Sequence, residues 1–225
     1  MAIETVIFDL DGVIIETEQE WNDVRREFAG RPGGHWDEHD QPAVMGANSM
    51  RWAAYMRDQN GVELSPQEIY DGVIEALRAR YARHLPLIPG AREAVTRLTS
   101  SFRLGVASSS PLELIEYSLE MAGLRRYFDA VVSSDEVATG KPAPDVYLEA
   151  CARLNTVPAR AAAIEDSSNG LRAAASAGLA VIAVPNQAFP PSDDALALAD
   201  VVLSSVGDIN AGIILSLRGE AGGGR

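Results

Sequence analysis

Six short apolar runs, separated by helical patterns, restrict the folds open to this chain. They are TVIF (5–8), LGVA (104–107), AVV (130–132), AAAI (161–164), AVIAV (180–184) and DVVL (200–203). Their apolar residues are continuous and do not alternate with polar ones, which predicts strands covered on both faces. The segments between them carry helix signals. Ser110-Pro111-Leu112-Glu113 places serine at an N-cap, proline at the first helical position and glutamate three after the cap. Leu112, Ile115 and Leu119 then form an apolar stripe, and Gly123 ends the helix. Residues 89–98 and 168–178 read the same way. Strands alternating with helices predict an α/β fold with a Rossmann-like, doubly wound, mostly parallel sheet. Ligands of such sheets bind beyond the carboxyl ends of the strands, so the chemistry is sought there.

One connection is too long for a single crossover helix. The first strand ends near Phe8 and the second begins near Arg103, and structureless loops of that size are rare in compact domains. The intervening pattern is helical. Trp21, Val24 and Phe28 share one stripe, residues 49–61 form a second helix ending at Asn60-Gly61, and residues 65–85 form a third that opens with Ser-Pro-x-Glu. An all-helical cap domain is therefore expected over residues 17–86, inserted after the first strand and lying over any site built there. The core comprises residues 1–16 and 87–218, and the glycine-rich residues 219–225 read as a disordered tail. Trp52 and Tyr55 are assigned to the cap core.

The net charge of −13 argues against nucleic acid and anionic membranes as partners, because both are approached through basic patches. No apolar run is long enough to span a bilayer, and the N-terminus lacks the pattern of a signal peptide. The single cysteine, Cys151, excludes an intramolecular disulfide and fits a reducing cytoplasm. It shares a helical face with Tyr147, Ala150 and Leu154, the pattern of a small core residue. Monomer and dimer are both open.

Four places at predicted strand ends carry chemistry. Asp9 and Asp11 in DLDGV follow the first strand; two nearby carboxylates can divide labour between an ionised nucleophile or metal ligand and a general acid–base. Glu165 and Asp166 in EDSSNG follow the fourth. With Asp9 they offer an all-oxygen site for a hard cation, for which Mg²⁺ is the natural candidate. Ser108 and Ser109 lie where a strand meets a helix N-terminus, a place that favours anions, while Ser110 is assigned to capping. Lys141 in TGKP is the only lysine among 19 basic residues. A phosphate about 4 Å from a carboxylate is repelled by about 4 kcal/mol per unit charge pair at a surface-like dielectric. One divalent cation and one ammonium offset most of that, so the four places are mutually consistent for an anionic substrate.

Together FDLDGV, ASSS, GKPAPD and EDSSNG resemble the haloacid dehalogenase superfamily over nearly the whole chain. The similarity is greatest to its capped phosphatase and β-phosphoglucomutase-like subgroup. The resemblance implies that Asp9 attacks phosphorus and forms an aspartyl-phosphate. It implies that Asp11 protonates the leaving oxygen and later activates water. Ser108 and Ser109 would hold phosphoryl oxygens, and Lys141 would bridge nucleophile and phosphate. Mg²⁺ would be held by Asp9, Asp166 and the carbonyl of Asp11, with Glu165 a ligand directly or through water. The expected substrate is a small phosphorylated metabolite, a sugar phosphate, with a phosphosugar isomerase as the alternative.

Departures from the family narrow this. Dehalogenases proper lack the second acid, and Asp11 is present. The cap has no lysine, which excludes the Schiff-base chemistry of phosphonate hydrolases. The mutase's cap histidine and arginine positions hold Trp21 and Ser49 here, with Arg51 nearby, and Glu16 replaces the usual aspartate before the cap. His35 and His39 are four apart, but Gly33 and Gly34 disfavour a helix there. The 31–40 stretch reads as a polar loop that could touch substrate, not as a zinc site.

Overall fold

The computed structural model describes residues 2–30, 33–44, 47–187 and 189–217. The tail expected at 219–225 lies outside the described residues. The sheet has six strands: β1 (Thr5–Phe8), β2 (Arg103–Ser108), β3 (Ala130–Ser133), β4 (Ala161–Glu165), β5 (Ala180–Ala183) and β6 (Val201–Val202). Their spatial order is β3-β2-β1-β4-β5-β6, and every pair is parallel. The chain builds outward from β1 on one side, then crosses back to β4 on the other. This puts the switch point of the sheet, where α/β folds bind ligands, at the end of β1.

Strand alternation divides the core into two layers. Val6, Phe8, Leu104 and Val106 face one cluster, with α5 (Ala91–Leu98), α6 (Leu112–Met121) and α10 (Ala211–Ser216). Ile7, Ala107, Ala161 and Ala163 face the other, with α7 (Asp145–Arg153) and α8 (Ser168–Ser176), and α9 (Asp193–Leu196) borders it. Cys151 belongs to this second layer, and burial pushes its thiol up to about 11.

Between β1 and β2 the chain forms the inserted helical cap: α1 (Glu18–Ala29), α2 (Asp40–Val44), α3 (Ser49–Asp58) and α4 (Pro66–Arg83). Trp21, Val24, Phe28, Trp52, Met56, Ile69, Val73, Leu77 and Tyr81 pack into its own core. The Ser-Pro-x-Glu start of α4 is a complete capping box between Ser65 and Glu68. Cap and core are joined by the Asp135 carboxylate, which accepts the Ser49 backbone N–H at 2.9 Å and its hydroxyl at 2.5 Å. Glu113 further accepts from Tyr70 Oη at 3.2 Å and Arg78 Nη1 at 3.3 Å. Among the described residues no helix is long and apolar enough to cross a membrane.

Two local expectations change. The edge strand β6 spans only 201–202, shorter than the run 200–203. Helix α6 starts at Leu112 with Pro111 as its N-cap and no side-chain cap, so Ser110 does not cap it.

Candidate active site

The register aligns the predicted site. Phe8 pairs with Val106 on one side and Ile164 on the other, so Asp9, one residue on, stands level with Ala107 and Glu165. The Asp9 backbone N–H continues the pairing to the Ile164 carbonyl at 3.0 Å. The chain then turns sharply, Gly12 N–H bonding back to the Ile15 carbonyl at 2.8 Å. Gly12 has φ +80°, and a Cβ there would lie 1.9 Å from Asp166 Oδ2. Gly12→Ala is therefore expected to cost about 1–2 kcal/mol in backbone strain alone and to displace the Asp166 carboxylate. A urea melt checks this, and an unchanged midpoint would contradict it.

The Asp11 carboxylate is gripped by hydroxyls. Ser110 Oγ donates to Oδ2 at 2.7 Å and Ser108 Oγ to the same oxygen at 3.2 Å, while Thr17 Oγ1 donates to Oδ1. This corrects the capping role assigned to Ser110: its hydroxyl meets Asp11, and its backbone N–H donates to Ser108 Oγ at 3.0 Å. Thr17 behaves alike. It stands at the N-cap of α1 but makes no side-chain cap bond, because its hydroxyl serves Asp11.

Lys141 is buried, with Nζ 2.6 Å from Glu165 Oε1 and 3.0 Å from Asp9 Oδ1. Burial alone would lower its pKa; the Asp9 and Glu165 carboxylates outweigh that and raise it, so it stays an ammonium. Glu165 has no free oxygen. Oε1 accepts from Lys141 and from Tyr147 Oη at 2.7 Å, and Oε2 accepts from the Asp166 and Ser167 backbone and the Ser167 hydroxyl at 3.2–3.5 Å. Gly170 in the first turn of α8 makes room for it, since a Cβ there would fall 1.9 Å from the Glu165 carboxyl.

One oxygen from each of Asp9, Glu165 and Asp166 lies within 4.8 Å of the others. Burial, with the neighbouring carboxylates, raises the Asp9 and Asp166 carboxyls well above the usual range, and Lys141 only partly opposes this. Asp166 Oδ2 is buried with no hydrogen-bond partner among the described residues. An orphaned carboxylate oxygen facing a second buried carboxylate suits a hard divalent cation.

Asp9, Asp11, Lys141 and Asp166 line a cavity of about 50 Å³ whose cap side is formed by Glu18, Trp21, Arg25, Val44, Ala47 and Trp52, with Glu165 behind it. Ser108 and Ser109 line it too. Trp52, assigned to the cap core, is buried and also walls the cavity. Tyr55 instead donates to Asp40 Oδ1 at 3.0 Å. Of the two mutase-like cap positions, Trp21 lines the cavity with an indole in place of an imidazole, while Ser49 is spent on Asp135 and the nearby Arg51 is exposed. Glu16 is exposed as well. Of the 31–40 loop, Arg31 and Pro32 lie outside the described residues. Trp36 Nε1 ties the rest to Asn22 Oδ1 at 2.9 Å, and none of residues 33–40 lines the cavity.

Sequence reasoning missed Arg25 and Glu18. Arg25 is 5% exposed, its guanidinium 4.4 Å from the Trp21 ring centroid and 4.9 Å from that of Trp52. Burial lowers its pKa to about 10 despite Glu18. Glu18 is lifted to about 7 by burial and by Asp11, against the pull of Arg25 and a hydrogen bond from Gln41. The signal was present: 21, 25 and 28 share a helical stripe, so Arg25 interrupts an apolar face.

A profile of the haloacid dehalogenase-like hydrolases matches residues 3–178. The chain is 34% identical to hexitol phosphatase B of Escherichia coli over 212 residues, 93% of this chain and 95% of that one. It is 32% identical over 182 residues to the fructose-1-phosphate phosphatase YqaB of the same organism, 80% of this chain and 95% of that one. The crystal structure of CbbY from Rhodobacter sphaeroides in complex with phosphate superposes with a TM-score of 0.85 at 30% identity, covering 96% of this chain and all of that one. Sheet order, inserted cap and clustered carboxylates accord with these matches: the chain belongs to the haloacid dehalogenase-like hydrolases.

Proposed function

We propose that this protein is a Mg²⁺-dependent phosphatase of sugar phosphates working through an aspartyl-phosphate. The observation that carries the reading is the buried cluster of Asp9, Glu165 and Asp166, with one ammonium, Lys141, paired to Asp9 and Glu165 and with Asp166 Oδ2 unpartnered among the described residues. Asp9 attacks phosphorus as the ester P–O bond breaks, and the leaving oxygen takes a proton from Asp11. Asp11 then removes a proton from water, which attacks the phosphorus and frees Asp9. Acid–base help of this kind is worth about 10²–10⁴-fold.

Lys141 orients Asp9 and offsets the charge of the incoming phosphate. Glu165, with both oxygens already accepting hydrogen bonds, holds Lys141 in place. Asp9, Asp166 and the Asp11 carbonyl would hold the Mg²⁺, which when bound supplies charge stabilisation at the phosphoryl oxygens. The Ser108 and Ser109 side of the cavity receives those oxygens. The relatives named for hexitol and fructose-1-phosphate support a sugar phosphate as substrate. The cavity of about 50 Å³ is far below the roughly 300 Å³ or more of ordinary ligand pockets. Substrate therefore enters with the cap displaced.

Phosphate release from a panel of sugar phosphates tests the reading. Release with Mg²⁺, lost when the metal is chelated, is expected. Tight binding of a sugar phosphate without release of phosphate would make the protein a binding module.

A further inference from the structure

We infer that Glu18, Gln41 and Arg25 form a hydroxyl-reading site on the cap, one that selects a neutral polyhydroxylated leaving group and disfavours a second phosphate. The inference deepens the phosphatase reading and rests on it.

Glu18, Trp21 and Arg25 are spaced by three and four along α1, so they project from one helical face, and all three line the cavity shared with Asp9 and Asp11. Arg25 Nη1 donates to Gln41 Oε1 at 3.0 Å, and Gln41 Nε2 donates to Glu18 Oε2 at 3.0 Å. The amide thus bridges a cation and an acid, fixing both. Among the described residues Arg25 makes no ion pair within 4.0 Å, and its Nε is buried without a partner. A buried guanidinium held by two indole faces and one amide retains donors for a ligand.

Charge decides which ligand. At the strand ends one ammonium faces Asp9, Glu165 and Asp166, and the charge of a bound Mg²⁺ would be offset by the scissile phosphate itself, so no positive charge is left over there for a second one. On the cap, Arg25 is offset by Glu18. A second phosphate beside Arg25 would also stand near Glu18 and Asp11, and the repulsion offsets the attraction. A hydroxyl has no such conflict: it accepts from the guanidinium and donates to the carboxylate. Neighbouring hydroxyls satisfy both ends of the bridge, while Trp21 and Trp52 cover the carbon chain. Sites built to hydrogen-bond hydroxyls discriminate strongly, because a wrong ligand leaves buried polar groups unpaired.

The test compares kcat/KM of the Mg²⁺-loaded protein at pH 8, where Glu18 is ionised, for a hexitol monophosphate, the corresponding bisphosphate and p-nitrophenyl phosphate. The monophosphate is expected to exceed the bisphosphate by about tenfold or more, with Glu18→Gln shrinking that ratio by a similar factor. Arg25→Gln is expected to raise KM for the hexitol ester more than for the aryl ester. Equal or faster turnover of the bisphosphate by the wild type, or an unchanged ratio in Glu18→Gln, overturns the inference while leaving the phosphatase reading standing. If not even the aryl ester is hydrolysed, the phosphatase reading falls and takes this one with it.

Discussion

Asp9→Asn is expected to abolish turnover and leave the fold intact. The amide has the same shape and can still accept the Leu10 N–H that Asp9 Oδ1 takes at 2.8 Å. It lacks the anionic oxygen that attacks phosphorus, and loss of a nucleophile costs about 10⁵-fold or more in kcat. Stability should hold or rise. Burial, Glu165 and Asp11 all raise the Asp9 pKa, so its charge is disfavoured in the folded chain; Lys141 opposes them, and in the variant it keeps Glu165 as partner. A carboxyl with a raised folded-state pKa binds its proton more tightly folded than unfolded. It therefore makes stability fall as pH climbs from the ordinary carboxylate range toward the raised value. Asparagine mimics the protonated form, so the variant should lose part of that decline. Phosphate release and thermal melts at two pH values check both halves. Appreciable residual turnover would exclude Asp9 as nucleophile.

Lys141→Met is expected to cost about 3–5 kcal/mol of stability as well as activity, because removing one partner of a buried ion pair strands the other. Here two carboxylates are stranded, at 2.6 and 3.0 Å from the lost ammonium. Protonation of Asp9, whose pKa is already raised, relieves part of the cost, so the loss should be greatest at high pH. Lys141→Arg separates charge from shape. The native side chain is 1% exposed, and a planar guanidinium is larger and spreads its charge. Turnover well below wild type is expected in this variant too. Near-normal rates with arginine would show that any cation suffices. Chemical denaturation of all three proteins, alongside initial rates, makes the comparison.

Much of the molecule was legible because continuous apolar runs and capping boxes are local signals. The six runs became six strands, and Ser65 and Glu68 capped α4 as their spacing required. DVVL shortened to two residues because β6 is an edge strand, paired on one side only, with Val202 left 54% exposed. Asp9, Asp11, Ser108, Glu165 and Asp166 converged because the parallel register sets the ends of β1, β2 and β4 side by side, while Lys141, expected at a strand end, reaches them from the loop between β3 and α7.

What local reading missed depends on partners distant in the chain. Ser110 obeys the capping pattern, yet Asp11, far away in sequence, claims its hydroxyl. Arg25 interrupts the apolar stripe of its own helix beside Trp21, but what holds its guanidinium from the other side, Trp52 and Gln41, comes from other cap helices. Glycine identity is similarly opaque in advance. Gly12 and Gly170 are small because Asp166 and Glu165 need the space.

The central claim is that Asp9 carries the phosphoryl group between the two half-reactions. The most direct measurement is mass spectrometry of the Mg²⁺-loaded protein, acid-quenched within a single turnover of a sugar phosphate it hydrolyses. The account predicts one phosphoryl group on the peptide containing Asp9, absent when the quench follows substrate exhaustion. Hydrolysis at the same rate with no phosphorylated Asp9 peptide at any time, or with the group on another residue, would contradict it.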